Sequence, residues 1–144
     1  MTRTHKRDEH GQMTVLIVGF TIVILLMIVV VTDISKAFLV RRNLDATADG
    51  AVLAAANGLA AVYAQPGAGS NAVIDPEQAR QLTAAYLDDV AAGNRFDNLD
   101  WSVDVDGTTV TVRLTSTADL PFQPPGFPGT ADIASEAAAV VPIR

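Results

Sequence analysis

The 144-residue chain has no cysteine. A disulfide framework, a thiol nucleophile and a Cys-ligated zinc are therefore excluded, and the redox compartment is not marked. Histidine is nearly as scarce, with only His5 and His10. Both lie in a short charged tail that cannot fold by itself. No Ser-His-Asp set exists, and the pair suits neither a metal nor a catalytic role. Positive charge is short too, with 10 Lys and Arg against 16 Asp and Glu and a formal net charge of −6. Phosphate binding draws on clustered Lys and Arg, so nucleic acid is not an expected partner. The length leaves room for one small domain. Multidomain enzymes and large nucleotide folds need about 150 residues or more for the domain alone. Aromatics make up 6% of the chain. Trp101, Phe96, Tyr86, Phe122 and Phe127 are expected to fill the core of a small domain rather than to line a ligand box.

What the chain does have is apolar length. Its mean hydropathy is +0.29, high enough in so short a chain to point to one lipid-seeking segment. Met13 to Thr32 reads MTVLIVGFTIVILLMIVVVT, 20 residues without a charge. At about 1.5 Å per residue this is roughly 30 Å of helix, the thickness of a bilayer's hydrocarbon core. The hydroxyls of Thr14, Thr21 and Thr32 can return to the carbonyl one turn back. Val23 follows Gly19 at the fourth position, so no GxxxG dimerisation motif is present. A cleaved secretory signal has a shorter apolar region, about 7 to 15 residues, and ends at a small-residue site; here Asp33 and Lys36 follow instead. A membrane-spanning helix over 13–32 is the expectation. Arg3, Lys6 and Arg7 precede the run and Lys36, Arg41 and Arg42 follow it, which leaves the positive-inside rule balanced. Residues 43–144 hold 4 Arg against 13 acidic residues, and long acidic segments cross with little regard to charge. The N-terminus is expected in the cytoplasm and the C-terminal domain outside.

The helical pattern continues beyond the run. Ile34, Phe38, Leu44, Ala48, Val52, Ala55 and Leu59 recur mostly at three- or four-residue intervals and predict an apolar stripe. Arg41, Arg42, Asp45 and Asp49 fall off it, on a solvated face where Asp45 can meet either arginine. Gly50 and Gly58 each weaken a helix by roughly 1 kcal/mol against Ala and suggest a bend or a close contact. One helix over residues 13 to 63 is expected, ended by Pro66 to Asn71. Asp75-Pro76-Glu77 is a helix start. The second helix is expected to run to about Ala92 with Ala79, Leu82, Tyr86 and Val90 as its apolar face and Gly93 as its stop. Two period-two runs around Asp106-Gly107 predict a β-hairpin. Leu120 to Gly129 holds four prolines and reads as an irregular apolar loop. Ile133 to Val141 is Ala-rich and is read as a third strand. The expected fold class is α+β: a long N-terminal transmembrane helix extended outside the membrane, a second helix and a small antiparallel β-meander. The expected divisions are a short cytoplasmic tail over 1–12, the span over 13–32, an extracytoplasmic helix extension over 33–64, a linker over 65–74 and a small α+β domain over 75–144.

Two candidate sites carry a chemical signature. Asp104-Val105-Asp106-Gly107-Thr108 matches DxDGT, in which the first Asp of a dehalogenase-type phosphohydrolase attacks phosphorus, the second handles the proton and Mg²⁺ neutralises charge. That chemistry needs the end of a buried parallel strand and a lysine nearby, whereas Lys6 and Lys36 are the only lysines and both flank the apolar run. A hairpin turn accounts for the same residues. Asp97, Asp100, Asp104 and Asp106 supply oxygens of the kind hard cations take. Their spacing instead puts Asp100, Asp104 and Asp106 on one solvated strand face. No catalytic residue, metal, cofactor or small-molecule substrate is expected.

A charged leader, a span starting after Gly11, a long helix and a small strand-rich domain together resemble pilins and pseudopilins. The segment DEHGQMTVLIVGFTIVILLMIVVVTDISKAFLVRRNLDATADGAVLAAANGL is similar to the N-terminal segment of TadE/TadG-like proteins of Flp (tight adherence) pilus assembly. The Gly before the span, Asp33 after it, Arg41-Arg42, Leu44, Asp45, Ala48-Asp49 and Ala54 to Ala56 carry the likeness, over about residues 8 to 60. The resemblance implies a pseudopilin-like architecture, a non-catalytic role in pilus or secretion-system assembly, and other pilus-assembly membrane proteins as partners besides the lipid bilayer. It also raises Gly11-Gln12 as a peptidase processing site. Pilin-like precursors carry Glu five residues after the processing Gly, and that position is Leu16 here. This departure weighs against cleavage after Gly11 and against packing into a pilus shaft, and favours an accessory membrane protein like TadG. Two other readings are a membrane-anchored envelope binding module unrelated to pili and, more distantly, a metal-dependent phosphohydrolase using Asp104 and Asp106.

Overall fold

The structure is a computed structural model that describes residues 9–64, 74–122, 126 and 129–141, with side chains from Gln12 onward. Residues 1–8 of the expected tail with His5, the side chain of His10, residues 65–73 of the expected linker, Phe127 and Pro142 lie outside the described residues.

Helix α1 runs unbroken over Glu9–Tyr63, 55 residues, or about 82 Å at 1.5 Å per residue. Its first half is rich in Val and Ile, whose branched side chains crowd a helix in water. A helix still forms because it pairs every backbone group within the segment, the condition lipid imposes. Its second half is the spine of a small domain. Leu44, Thr47, Ala48, Ala51, Val52, Ala55, Ala56 and Leu59 are buried, and Ala37 and Val40 continue that face toward the apolar run. The expected stripe therefore holds from Leu44 onward but not before it, since Ile34 is 64% and Phe38 63% exposed. Small residues set the phase there: Asp33, Ala37 and Val40 face inward, and a short side chain lets the sheet approach where isoleucine or phenylalanine would hold it off. Arg41, Arg42, Asp45 and Asp49 are exposed. The ion pair among the described residues is the surface pair Arg80–Glu77 at 3.9 Å, so Asp45 meets neither arginine.

Helix α2 spans Pro76–Asp89. Its start is the expected one: the Glu77 N–H donates to Asp75 Oδ1 at 2.9 Å, and proline occupies the first turn, where its missing N–H costs nothing. Its end is not at Ala92. Ala91 takes the left-handed conformation at φ 49, two residues before the glycine expected to do so, and Gly93 falls inside the short helix α3, Ala92–Arg95. Packing overrides the local preference, because this early turn delivers Ala92 and Phe96 into the core. The buried face of α2 is also rotated by one position, to Ala79, Thr83 and Leu87, with Leu82, Tyr86 and Val90 partly buried at its margin. Thr83 enters the core without an orphaned hydroxyl, since its Oγ1 donates to Ala79 O at 2.9 Å.

Strands β1 (Asp97–Asp106), β2 (Thr109–Asp119) and β3 (Thr130–Val140) form an antiparallel meander in the order β1-β2-β3. The Ala-rich run is thus a strand, as expected. Gly107 at φ 59 opens the two-residue turn between β1 and β2, the conformation a tight hairpin asks of its first central residue. Near its start β1 carries a bulge, with Asn98 at φ 50. Ser116 Oγ donates to Asp97 O at 2.9 Å beside it. Period two divides the sheet. Val110, Val112, Leu114, Ser116 and Ala118 of β2 are buried, flanked in register by Trp101, Val103 and Val105 on β1 and by Ile133, Ser135 and Ala137 on β3. The other face carries Asp104, Thr111, Arg113 and Glu136. The core lies between α1 and the inner face, with α2 against both α1 and β1.

Direction follows from three contacts. A Cβ built on Gly58 would meet Leu82 and one on Gly50 would meet Tyr86, so α2 descends along α1 toward its apolar half. At the lower end, the Phe122 N–H donates to Asp33 Oδ1 at 3.3 Å. Strand β2, 11 residues or about 37 Å, matches the helix length from residue 33 to 59, about 39 Å. Phe122 itself departs from expectation. It is 44% exposed rather than core, held at its backbone N–H beside Asp33.

Candidate functional site

The most extensive unpartnered surface is the first half of α1. Across the described residues it contains an 18-residue window of mean hydropathy 3.2, none of it buried. It is one helix long and apolar enough to cross a membrane. Polar atoms along it are turned inward: Thr21 and Thr32 donate to Ile17 O and Ile28 O, each at 2.8 Å. Ser35 donates to Val31 O at 2.7 Å. A side-chain hydroxyl satisfied within its own helix adds little cost to burial in hydrocarbon. No side chain approaches Gly19 within 4 Å. Beyond Thr32 the character changes within three turns: Asp33 is half-buried against the domain, and Lys36, Arg41 and Arg42 are exposed.

Gly11 and Gln12 lie in the first turn of α1. Asp104 and Asp106 pair in register with Thr111 and Thr109 of β2, respectively, at the hairpin end, exposed on the outer side of the sheet. Asp97 and Asp100 share that side by register with Thr117 and Thr115. The Trp101 N–H donates to Asp100 Oδ1 at 2.9 Å, which occupies one carboxylate locally. Among the described residues, no three His, Cys, Asp or Glu come together as a metal-binding group. The DxDGT residues thus sit on an edge strand and its turn, not at the end of a buried parallel strand.

One feature went unforeseen. An open groove of about 370 Å³ lies where α2, α3 and β1 meet, lined by Leu87, Leu99 and Trp101 together with Asp88 and Asn94. Nothing in the local sequence marks it, since it exists only because the turn at Ala91 swings the chain from α2 into β1.

Residues 11–58 match the family model Tad, described as "Putative Flp pilus-assembly TadE/G-like". No curated protein and no solved structure matches the chain. The matched stretch starts at the glycine before the apolar run and ends at Gly58, where α1 touches Leu82. It covers about a third of the chain and leaves α2 and the sheet outside it. Over residues 11–58, in the helix that carries both the apolar run and the spine of the domain, the chain is similar to the TadE/G-like family of Flp pilus assembly.

Proposed function

We propose that the protein is a single-pass, non-catalytic membrane component of the Flp/Tad pilus-assembly machinery. The carrying observation is α1 itself, one continuous helix whose unburied apolar half and domain-bearing half both lie largely within the matched segment. In this reading residues 1–12 are a cytoplasmic tail, 13–32 cross the bilayer, and the helix extension over 33–64, the linker over 65–74 and the α+β domain over 75–144 are extracytoplasmic. The partners are other membrane proteins of the same assembly, met outside the bilayer. Removing the protein from its host is expected to abolish surface filaments, with recovery on restoring the full chain and none on restoring the chain without residues 13–32. Unchanged filament number after removal would sink the reading.

Topology and processing are tested together. With Leu16 where pilin precursors have Glu, the segment before Gln12 is retained in this reading. Single cysteines placed at Thr4 and Ser70 are expected to react with an impermeant maleimide at position 70 only, on a chain whose intact mass is that of the full sequence. Reaction at position 4 alone would reverse the orientation, and a membrane species beginning at Gln12 would contradict retention.

A further inference from the structure

We infer that the start of the loop after β2, at Pro121 and Phe122, is a second lipid contact, laid in the headgroup layer of the same bilayer that α1 crosses. The inference rests on the reading of α1 as a membrane span. Asp33 is the first charged residue after the uncharged run, so it marks where the hydrocarbon ends. The Phe122 N–H is bound to Asp33 Oδ1 at 3.3 Å, which fixes this point of the loop at the height of residue 33. The polar layer of a bilayer adds about 5 to 8 Å on each side of the hydrocarbon, so a group held against Asp33 lies within it. Leu120 N–H donates to Gly129 O at 2.8 Å and closes the base of the loop above this point.

The side chains at that height suit such a layer. Phe122 is 44% exposed although it adjoins the domain, and Pro121 beside it is exposed. On α1, Ile34 and Phe38 are likewise exposed, one and five residues past Asp33, within about 8 Å of rise. Lys36 is exposed among them, and a long cationic side chain can reach the phosphates while its stem stays apolar. In water these would be unrelated exposed hydrophobics on two elements. At one height beside a span they form a ring, with the helix supplying one part and the loop the other. Phenylalanine and leucine are common on the faces that interfacial segments bury at the headgroup boundary.

Because the chain has no cysteine, one nitroxide can be placed at F122C in the full chain reconstituted in phosphatidylcholine vesicles. L26C serves as the lipid reference and E136C, on the outer face of the sheet, as the water reference. The ratio of collisions with oxygen to collisions with a water-soluble nickel chelate is expected to be severalfold higher at position 122 than at 136, and below that at 26. A ratio at 122 equal to that at 136, with 26 in lipid, overturns the inference and leaves the span intact. Protection of 122 from both reagents assigns the surface to a protein and also overturns it. Water-like behaviour at 26 overturns the span reading itself. As a second probe that keeps an aromatic ring, F122W in a W101F chain is expected to be quenched by lipids brominated near the headgroup.

Discussion

Leu114→Ala is expected to lower the unfolding free energy of the domain by about 3 to 4 kcal/mol. Leu114 is completely buried on the central strand, opposite Trp101 on β1 and Ser135 on β3. Its neighbours belong to paired strands, so the cavity left by truncation has little means of collapse, and the loss combines transfer and cavity terms. A domain of this size is stable by only about 5 to 10 kcal/mol, which makes this one side chain a large share of the total. Urea unfolding of the full chain in detergent, followed by the fluorescence of Trp101, measures it directly. With a slope of about 1 to 2 kcal/mol/M the midpoint falls by roughly 2 M. Ser102→Ala, the next residue along β1 and exposed, serves as the control and is expected to stay within about 0.5 kcal/mol. A midpoint that moves no more for Leu114 than for Ser102 would mean that the sheet does not pack on α1.

Gly50 presents a contest between local and tertiary terms. In an isolated helix, Gly→Ala is stabilising by about 1 kcal/mol. Here a Cβ at Gly50 would lie 2.6 Å from Tyr86 Cζ and closer still to its hydroxyl, so the ring must leave its place between α1 and α2. Overpacking of this kind costs about 1 to 3 kcal/mol, so Gly50→Ala is expected to destabilise slightly and Gly50→Leu by about 3 kcal/mol. The sign is the test. In a Tyr86→Ala background the obstruction is gone and Gly50→Ala is expected to stabilise, revealing a coupling of about 1 to 2 kcal/mol in the double-mutant cycle. Destabilisation of equal size in both backgrounds would show that the glycine serves some purpose other than the approach of α2.

What the sequence made legible follows from how local each signal is. The apolar run, the Asp75-Pro76 start, the Asp-Gly hairpin and the third strand depend on residues within a turn or a strand of one another, and the sequence alone predicts each. The misjudged points share a different cause. Ile34 and Phe38 fall on the predicted stripe by their spacing of three and four residues. The helix packs its small residues there, and Ala37 gives no sign by itself that a sheet will come close. Thr83 lies on the buried face of α2, and its hydroxyl is satisfied by its own helix. Ala91 took the conformation usually left to glycine because Ala92 and Phe96 have places in the core. Phe122 was placed inside since an aromatic is usually buried, and its true position depends on a hydrogen bond spanning 89 residues. The candidate site divided in the same way. The apolar run is legible as composition, whereas the groove at Trp101 and the meeting of Phe122 with Asp33 exist only after distant segments meet.

The uninterrupted course of α1 gives the molecule the mechanics of a lever. No proline or left-handed residue breaks the helix between Glu9 and Tyr63, so there is no hinge between the apolar half and the domain. With the apolar half across a bilayer, as proposed above, a tilt of about 20°, ordinary for a membrane helix, would carry the far end sideways by about 15 Å, since some 45 Å of helix follows residue 32. Rotation of the span about its axis would likewise turn the sheet through the same angle. A partner that grips either half thereby moves the other. The contact at Phe122, set off to one side of the helix, would act as an outrigger that limits how far the lever can lean.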